Sequence, residues 1–337
     1  MKRLSQEKRA VTIRDVAQQA GVSVAAASYA LNNTGRVSAL TKATILQAAN
    51  ELGYTPSLAA QVLKGRKGNL VAILTDGFAG PWYGEFLERI QPALKDAGHT
   101  VLALTLDQES LALCRTLVDS GWIQGLVVLN PGADWASFLV PMLDLVPTVV
   151  FDPDEHYQNA VQFAVDNRSG VKALMNHLWE RGYRDFLWLD GEIDLAWDAR
   201  ERYQAFSDFL GAKNFSELSV TRLHGGFKAD LAYRAVREFL STSKPPRVIV
   251  AANDESASGA LRAVREKGLS VPRDVAVTGF DGLDSSAWTE PPLTTLSYDR
   301  RDLGARMAAA ILDALQSGET SPRRHILEVT LVVRASS

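Results

Sequence analysis

From residue 70 onward the chain alternates between two patterns. Short apolar runs at 70–75, 100–106, 125–129, 148–151, 186–189, 248–252 and 275–280 are separated by longer amphipathic stretches, among them 83–97, 171–181, 231–240 and 256–267. A parallel strand pair needs a long crossover, and a helix supplies it. Strand-length apolar runs that alternate with helical periodicity therefore specify parallel sheets covered by helices. About 270 residues of this pattern are more than one core holds, so two lobes are expected.

The first 53 residues read differently, as three short helices. Thr12 is placed to cap the first, with Asp15 three residues on as partner carboxylate, Val16, Ala17 and Ala20 as its buried stripe and Gly21 as its stop. Ser23 caps a second helix over 24–31, ended by Asn32 and Asn33. Ala27 and Leu31 are expected to face inward, and Val24, Ala25, Ser28, Tyr29 and Asn32 outward. A third helix spans 39–52, with Ile45, Ala48, Ala49 and Leu52 at i, i+3, i+4 and i+7 and Gly53 just past its end. Pro56 and Gly65 bracket one further stretch, 57–64, too short to be a stable helix alone in water. Helix, glycine turn, helix is the spacing of a helix-turn-helix, whose second helix enters a major groove. By itself that spacing also occurs in helical proteins that never touch DNA.

Charge divides the chain at the same place. The net charge of −3 is the sum of ten Lys/Arg against three Asp/Glu over residues 1–67 and 26 against 36 beyond them. A basic head on an acidic body suggests that the head alone approaches a polyanion. The start, MKRLSQEKRA, lacks the apolar stretch of a secretory signal, and no run is long and apolar enough to span a membrane. One cysteine, Cys114, precludes an internal disulfide and fits a reducing compartment, so a bacterial cytoplasm with the protein at the nucleoid is expected. No phosphate loop, dinucleotide fingerprint, zinc motif or CxxC is present, and five histidines lie scattered. Neither enzymatic activity nor a cofactor nor a metal is expected.

The run TIRDVAQQAGVSVAAASYALNNTGRVSALTKATILQAANELGYTPSLAAQVLKG strongly resembles the head of the lactose-repressor (LacI) family. Its matching elements are Ile13-x-Asp15-Val16-Ala17, Ala20-Gly21-Val22-Ser23, Ser28-x-x-Leu31-Asn32, Val37-Ser38, Glu51-Leu52-Gly53-Tyr54 and Pro56. The likeness continues through GPWYGEF at 80–86, PTVVFD ending at Asp152, VDNRSG at 165–170, ARERYQAF at 199–206, GFDG at 279–282 and PPLTTL at 291–296. It implies an all-α helix-turn-helix head over 1–56, a hinge helix and linker over 57–67, and a two-lobed α/β sensor of the periplasmic-binding-protein kind over 68–337. Lobe 1 would take 68–164 and 298–325, and lobe 2 would take 165–297 and 326–337.

The resemblance also implies a function. The chain would be a transcriptional repressor that binds a pseudo-palindromic DNA operator as a homodimer and is controlled by a small molecule, a sugar in the first reading and a nucleobase in the second. A solute receptor without a DNA role has the same body but no use for a basic helical head. Thr12, Val24, Ala25, Ser28, Tyr29 and Asn32 would contact DNA. Leu63 would wedge into the minor groove, with Ala60 at the close contact between hinge helices. Two departures from the family pattern, Ala26 and Tyr29, leave the second helix without a basic residue, so thymine methyls against Val24 and Ala25, with the Tyr29 hydroxyl, replace an arginine–guanine contact. The effector cleft would be lined by Trp82, Tyr83, Asp152, Phe163, Arg200, Phe227, Asn253, Asp281 and Trp288. Asp254 reads instead as a helix cap.

Overall fold

A computed structural model of the chain describes residues 11–32, 35–54, 68–152, 157–191, 196–213, 218–318 and 322–337. The chain divides into two units, Met1–Lys67 and Gly68–Ser337.

The first unit holds α1 (Ile13–Gln19), α2 (Val24–Leu31) and α3 (Ala39–Leu52). Each start is capped. The Asp15 carboxylate accepts from the backbone N–H and the hydroxyl of Thr12, both at 2.7 Å, while Ser23 Oγ and Ser38 Oγ accept from Ala26 N–H and Thr41 N–H at 3.1 Å. Gly53 ends α3 in the left-handed region, φ 64°. The core is built from Val16, Ala17, Ala27, Ala30, Ile45, Ala48 and Ala49. As expected, Ala27 is buried and Leu31, half-buried, packs against this core; Ala30, which was not expected inward, is buried beside Ala27. Two alanines at i and i+3 let α2 approach its neighbours closely. The hinge helix expected at 57–64 lies outside the described residues.

In the second unit the described residues form two six-stranded sheets. Lobe 1 contains β1 (Leu70–Thr75), β2 (Thr100–Thr105), β3 (Ile123–Leu129), β4 (Thr148–Phe151), β5 (Val161–Val165) and β11 (Arg323–Leu327), in the spatial order β2-β1-β3-β4-β5-β11, all parallel. Lobe 2 contains β6 (Asp185–Asp190), β7 (Ser219–His224), β8 (Val248–Ala251), β9 (Ala276–Asp281), β10 (Thr294–Ser297) and β12 (Thr330–Val332), in the order β7-β6-β8-β9-β10-β12, with β12 antiparallel. The helices of lobe 1 are α4 (Pro81–Asp96), α5 (Gln108–Asp119), α6 (Ala136–Leu143) and α11 (Arg300–Ser317). Those of lobe 2 are α7 (Asn167–Glu180), α8 (Trp197–Gly211), α9 (Ala229–Thr242) and α10 (Asp254–Glu266).

The chain crosses between lobes three times. The last crossing falls after Leu327, not after residue 325, because β11 pairs with β5 over its whole length. Strands β5, β7, β10, β11 and β12 were not expected. Of these, β7 (SVTRLH) and β11 (RRHIL) are polar edge strands that bury one face at most, so neither shows a continuous apolar run. One apolar core runs through both lobes, from Phe86, Phe151 and Phe163 to Trp188, Phe206 and Phe280.

Candidate functional site

Both sheets reverse direction at the same point of their winding: β2 lies to one side of β1 and β3 to the other, and β7 and β8 flank β6 likewise. Crossovers leave on opposite faces there, and ligands of open α/β sheets bind at such switch points, off the carboxyl ends of the strands. Those ends carry Asp76 after β1, Asn130 after β3, Asp152 after β4, Asp190 at the end of β6, Asn253 just beyond β8 and Asp281 at the end of β9.

Arg202, from α8, lies at the centre and is 3% exposed. Its guanidinium is held on every edge. Nη2 pairs with Asp198 at 3.1 Å, Nε donates to Asn167 Oδ1 at 2.9 Å, and Nη1 donates to the Ala252 carbonyl at 2.8 Å. Asp281 stands farther off, at 3.7 Å from Nη1, and the plane of the guanidinium lies over the Phe280 ring.

Asp152 reaches the same cluster from lobe 1. Its main-chain N–H donates to the Phe163 carbonyl at 2.7 Å, and one carboxylate oxygen accepts from Val165 N–H at 3.1 Å. Burial, reinforced by the negative charge of Asp198 and opposed by Arg202, pushes its pKa up to about 8. Burial likewise pushes Asp281 up to about 7 against the pull of Arg202. Both residues hold left-handed backbone, φ 46° and 104°, as does Asn130 at 48°. Such conformations are costly for non-glycine residues and concentrate at functional sites.

The aromatic side is built on α4. Trp82 stacks on Phe86 and Phe151, with centroids 5.6 and 5.3 Å away, meets Tyr83 edge-on, and donates through Nε1 to the Tyr298 hydroxyl at 2.7 Å. Tyr83 donates to Asp76 at 2.5 Å. From lobe 2, Phe227 stands in the left-handed region, and its carbonyl accepts from Asn253 Nδ2 at 3.1 Å. Gly191 is required beneath it, because a Cβ there would overlap the Phe227 ring.

The structure thus gathers Trp82, Tyr83, Asp152, Phe227, Asn253 and Asp281, and it corrects three assignments. Arg200 is exposed, on the face of α8 opposite Arg202, since two residues along a helix turn through 200°. Phe163 is 1% exposed within lobe 1, stacked on His325 at 4.6 Å, and has no face to offer a ligand. Trp288 is 87% exposed at the end of the 3-10 turn Asp284–Trp288, with none of the packing that would hold an aromatic face in a binding cleft. Asp254 is not the cap of α10 either. Asn253 is, accepting from Ser256 N–H at 2.8 Å. Asp254 ties α10 to the loop after β9 and to β10 by accepting from Leu283 N–H and the Thr295 hydroxyl.

Sequence reasoning missed Arg202, Asp198, Asn167 and Asn130. A helical phase was available for the first two, because Asp198, Ala199, Arg202, Ala205 and Phe206 share one buried stripe. Asn130 directly follows the apolar run of β3, and its buried Oδ1 has no hydrogen-bond partner among the described residues.

On the head, Val24, Ala25 and Tyr29 form the exposed face of α2, and no side chain of that helix is charged. Ser28 and Asn32 are half-buried, with Asn32 Nδ2 donating to the Ser28 carbonyl at 2.7 Å and to its hydroxyl at 3.2 Å. Thr12 stands at the start of α1. Ala60 and Leu63 lie outside the described residues.

Residues 12–57 match the family described as bacterial regulatory proteins, lacI family, and residues 175–337 match the periplasmic binding protein-like domain. The chain is 28% identical over 340 residues to the HTH-type transcriptional repressor PurR of Pasteurella multocida, with 96% of this chain and 98% of that protein covered. Among solved structures it is similar to the Lac repressor dimer bound to operator and the anti-inducer ONPF (TM-score 0.78, 27% identity, 97% and 99% covered). It is also similar to the transcriptional regulator CelR in complex with cellobiose (TM-score 0.70, 27% identity, 97% and 100% covered). With a helix-turn-helix head, a two-lobed sensor and likeness along nearly its whole length, the chain belongs to the LacI family and is a DNA-binding transcriptional repressor controlled by a small-molecule effector.

Proposed function

We propose that the effector is a neutral sugar or short oligosaccharide held between the lobes, and that it governs the grip of a homodimer on a pseudo-palindromic operator. The observation that carries this is the set of polar groups left to a ligand in the cleft. The donors of Arg202 are committed to Asp198, Asn167 and Ala252. What remains is Asp152, Asp281 and Asn130 Oδ1, which has no hydrogen-bond partner among the described residues. With pKa values pushed up to about 8 and about 7, the two carboxyls donate as well as accept near neutral pH, which suits a ligand rich in O–H groups, themselves both donors and acceptors. The C–H face of a sugar ring packs on Trp82, Tyr83 and Phe227. The CelR relative, solved with cellobiose, points the same way.

The second reading, a nucleobase, is favoured by the near-full-length likeness to PurR and by the same aromatic rings. The body acts as a sensor without turnover, and the protein works in the bacterial cytoplasm. On DNA, Val24, Ala25 and Tyr29 meet base edges, Thr12, Ser28 and Asn32 anchor the backbone, and Leu63, beside Ala60, wedges into the minor groove.

Calorimetry on the full chain with cellobiose, glucose and guanine tests the effector class. Binding of a sugar, together with a change in affinity for a selected operator, is expected. Binding of guanine alone refutes the sugar reading. Unchanged sugar affinity in both Asp152→Asn and Asp281→Asn refutes the cleft.

A further inference from the structure

We propose that Glu255 is a positioning residue that latches the two lobes: its carboxylate lies between the starts of two helices, α4 of lobe 1 and α9 of lobe 2, and holds the lobes closed beside the effector cleft. The inference rests on the reading of that cleft as the effector site and adds the residue that sets how readily it opens.

Neither helix is capped by the residue before it. Gly80 precedes α4 and Lys228 precedes α9, and neither supplies a side-chain acceptor to the first turn. A helix start leaves main-chain N–H groups without partners and carries a partial positive charge. Glu255, on the first turn of α10, brings one negative charge to both starts. A Cβ built on Gly80 would stand 2.9 Å from Glu255 Oε2 and 3.9 Å from its Cδ, so the carboxylate lies against the bare glycine of lobe 1. Gly80 also holds φ 107°, a conformation that favours glycine. On the lobe 2 side, burial raises the pKa of Glu255. The main-chain N–H of Ala229, the first residue of α9, opposes that rise, followed by the Lys228 ammonium, while the Asp230 carboxylate adds to it.

Packing within lobe 2 aims the side chain. Gly259 lies one turn along α10 from Glu255, and a Cβ on it would overlap the Ala229 carbonyl and stand 3.0 Å from the Tyr233 nitrogen. The two helices therefore meet at backbone distance, which leaves Glu255 beside the first turn of α9. The latch adjoins the cleft. Gly80 is two residues from Trp82, and Asn253, two residues before Glu255, donates to the carbonyl of Phe227 next to Lys228. When the lobes part, α9 moves with α10 and α4 does not. The contact with Gly80 is thus the part made in the closed form alone, and it biases the lobes toward closure by the interaction that opening removes.

The test reads the distance between the lobes in the full chain without any effector, by pulsed electron resonance between nitroxides at Glu109→Cys in lobe 1 and Lys244→Cys in lobe 2, two exposed positions. Labelled protein is diluted in unlabelled chain so that pairs within one protomer are read, and Cys114, being buried, is shielded from the label. The labelled parent is expected to give mainly one short distance. Glu255→Gln keeps the shape and loses the charge, and the methyl group of Gly80→Ala displaces the carboxylate. Each is expected to shift the ratio of closed to open lobes by roughly tenfold toward open. Glu255→Gln, at a half-buried position, keeps the test standing if Gly80→Ala does not fold. The short distance kept by Glu255→Gln overturns the latch, as does a parent already at the long distance. Opening in Glu255→Gln but not in a folded Gly80→Ala overturns the contact with lobe 1 as its basis. These outcomes hold whichever ligand the cleft takes. A parent that binds neither cellobiose nor guanine in calorimetry, with the distances as expected, overturns the effector reading and leaves the latch.

Discussion

Arg300 grips Glu85 with one edge of its guanidinium and the chain at Asp281 with the other. Nε and Nη2 donate to Glu85 Oε2 at 3.0 and 2.7 Å, while Nη1 donates to the carbonyls of Asp281 and Gly282. Glu85 is on α4 in lobe 1, and Asp281 ends β9 in lobe 2. One side chain thus ties the helix that carries Trp82 to the strand end that carries a cleft carboxylate.

Removing that tie leaves the Glu85 charge and two carbonyls short of a donor. Arg300→Met is expected to destabilise the body by about 2–4 kcal/mol, and Glu85→Gln, which keeps a neutral acceptor, by less. Urea unfolding monitored by tryptophan fluorescence gives both values. Equal losses would show that charge is not what the arginine compensates.

The raised carboxylates make the body acid-favouring. Asp152 and Asp254 are pushed up to about 8 and Asp281 to about 7, from an ordinary value of 3.8. A group whose folded pKa is raised binds its proton more tightly when folded. Its contribution is complete below the unfolded pKa and is lost as pH rises through the folded one. The melting temperature is therefore expected to fall between pH 6 and pH 9. Asp281→Asn should flatten part of that decline. A melting temperature that rises across this interval would contradict the burial argument.

Arg202 and Arg200 separate the cleft from the surface. Arg202→Lys keeps the charge but cannot satisfy Asp198, Asn167 and Ala252 from one planar head, and it is expected to weaken effector binding at least tenfold. Arg200→Ala is expected to leave binding within about twofold, as for a surface change. Calorimetry with the sugar that binds the parent checks both.

Gly191→Ala places a methyl group against the Phe227 ring and displaces it. Effector affinity is expected to drop several-fold, with stability lowered by about 1–3 kcal/mol from the overpacking. Affinity that survives intact in a folded variant would remove Phe227 from the cleft.

Ile45 is fully buried among the three helices of a small head. Ile45→Ala is expected to cost about 2–5 kcal/mol and to abolish operator binding while effector binding persists. Gel shifts beside calorimetry on the same preparation would show the split.

Much of this molecule was legible in one dimension. The caps at Thr12 and Ser23, the stop at Gly53 and the periodicity around Ile45 define the head, because helix ends and buried stripes are local properties. The apolar runs that became β1, β3, β4, β6, β8 and β9 were readable because strands buried on both faces are continuously apolar, and the edge strand β2 was readable because its run, TVLALT, is apolar at four of six positions if its alanine is counted. Edge strands such as β7 and β11 were not, since pairing on one side and solvent on the other permit Arg222, Arg323 and Arg324 within them.

The cleft shows where one dimension ends. Asp152, Asn253 and Asp281 were implied by the family resemblance, and their places fit it, since strand ends can be located from the runs that precede them. Arg202 was not, although it lies two residues from Arg200, since which face of α8 turns inward depends on what that helix packs against. Phe163 and Trp288 fail for the same reason in opposite directions: the resemblance makes both candidates, and tertiary packing buries one in the core of lobe 1 and leaves the other in solvent. Sequence alone determined the helices of the head, the seven apolar strands and which residue types are at hand. The fold decided which of them meet, because residues as far apart in the chain as Asp152, Arg202 and Asp281 share a charge cluster only once two separately wound sheets bring their strand ends together.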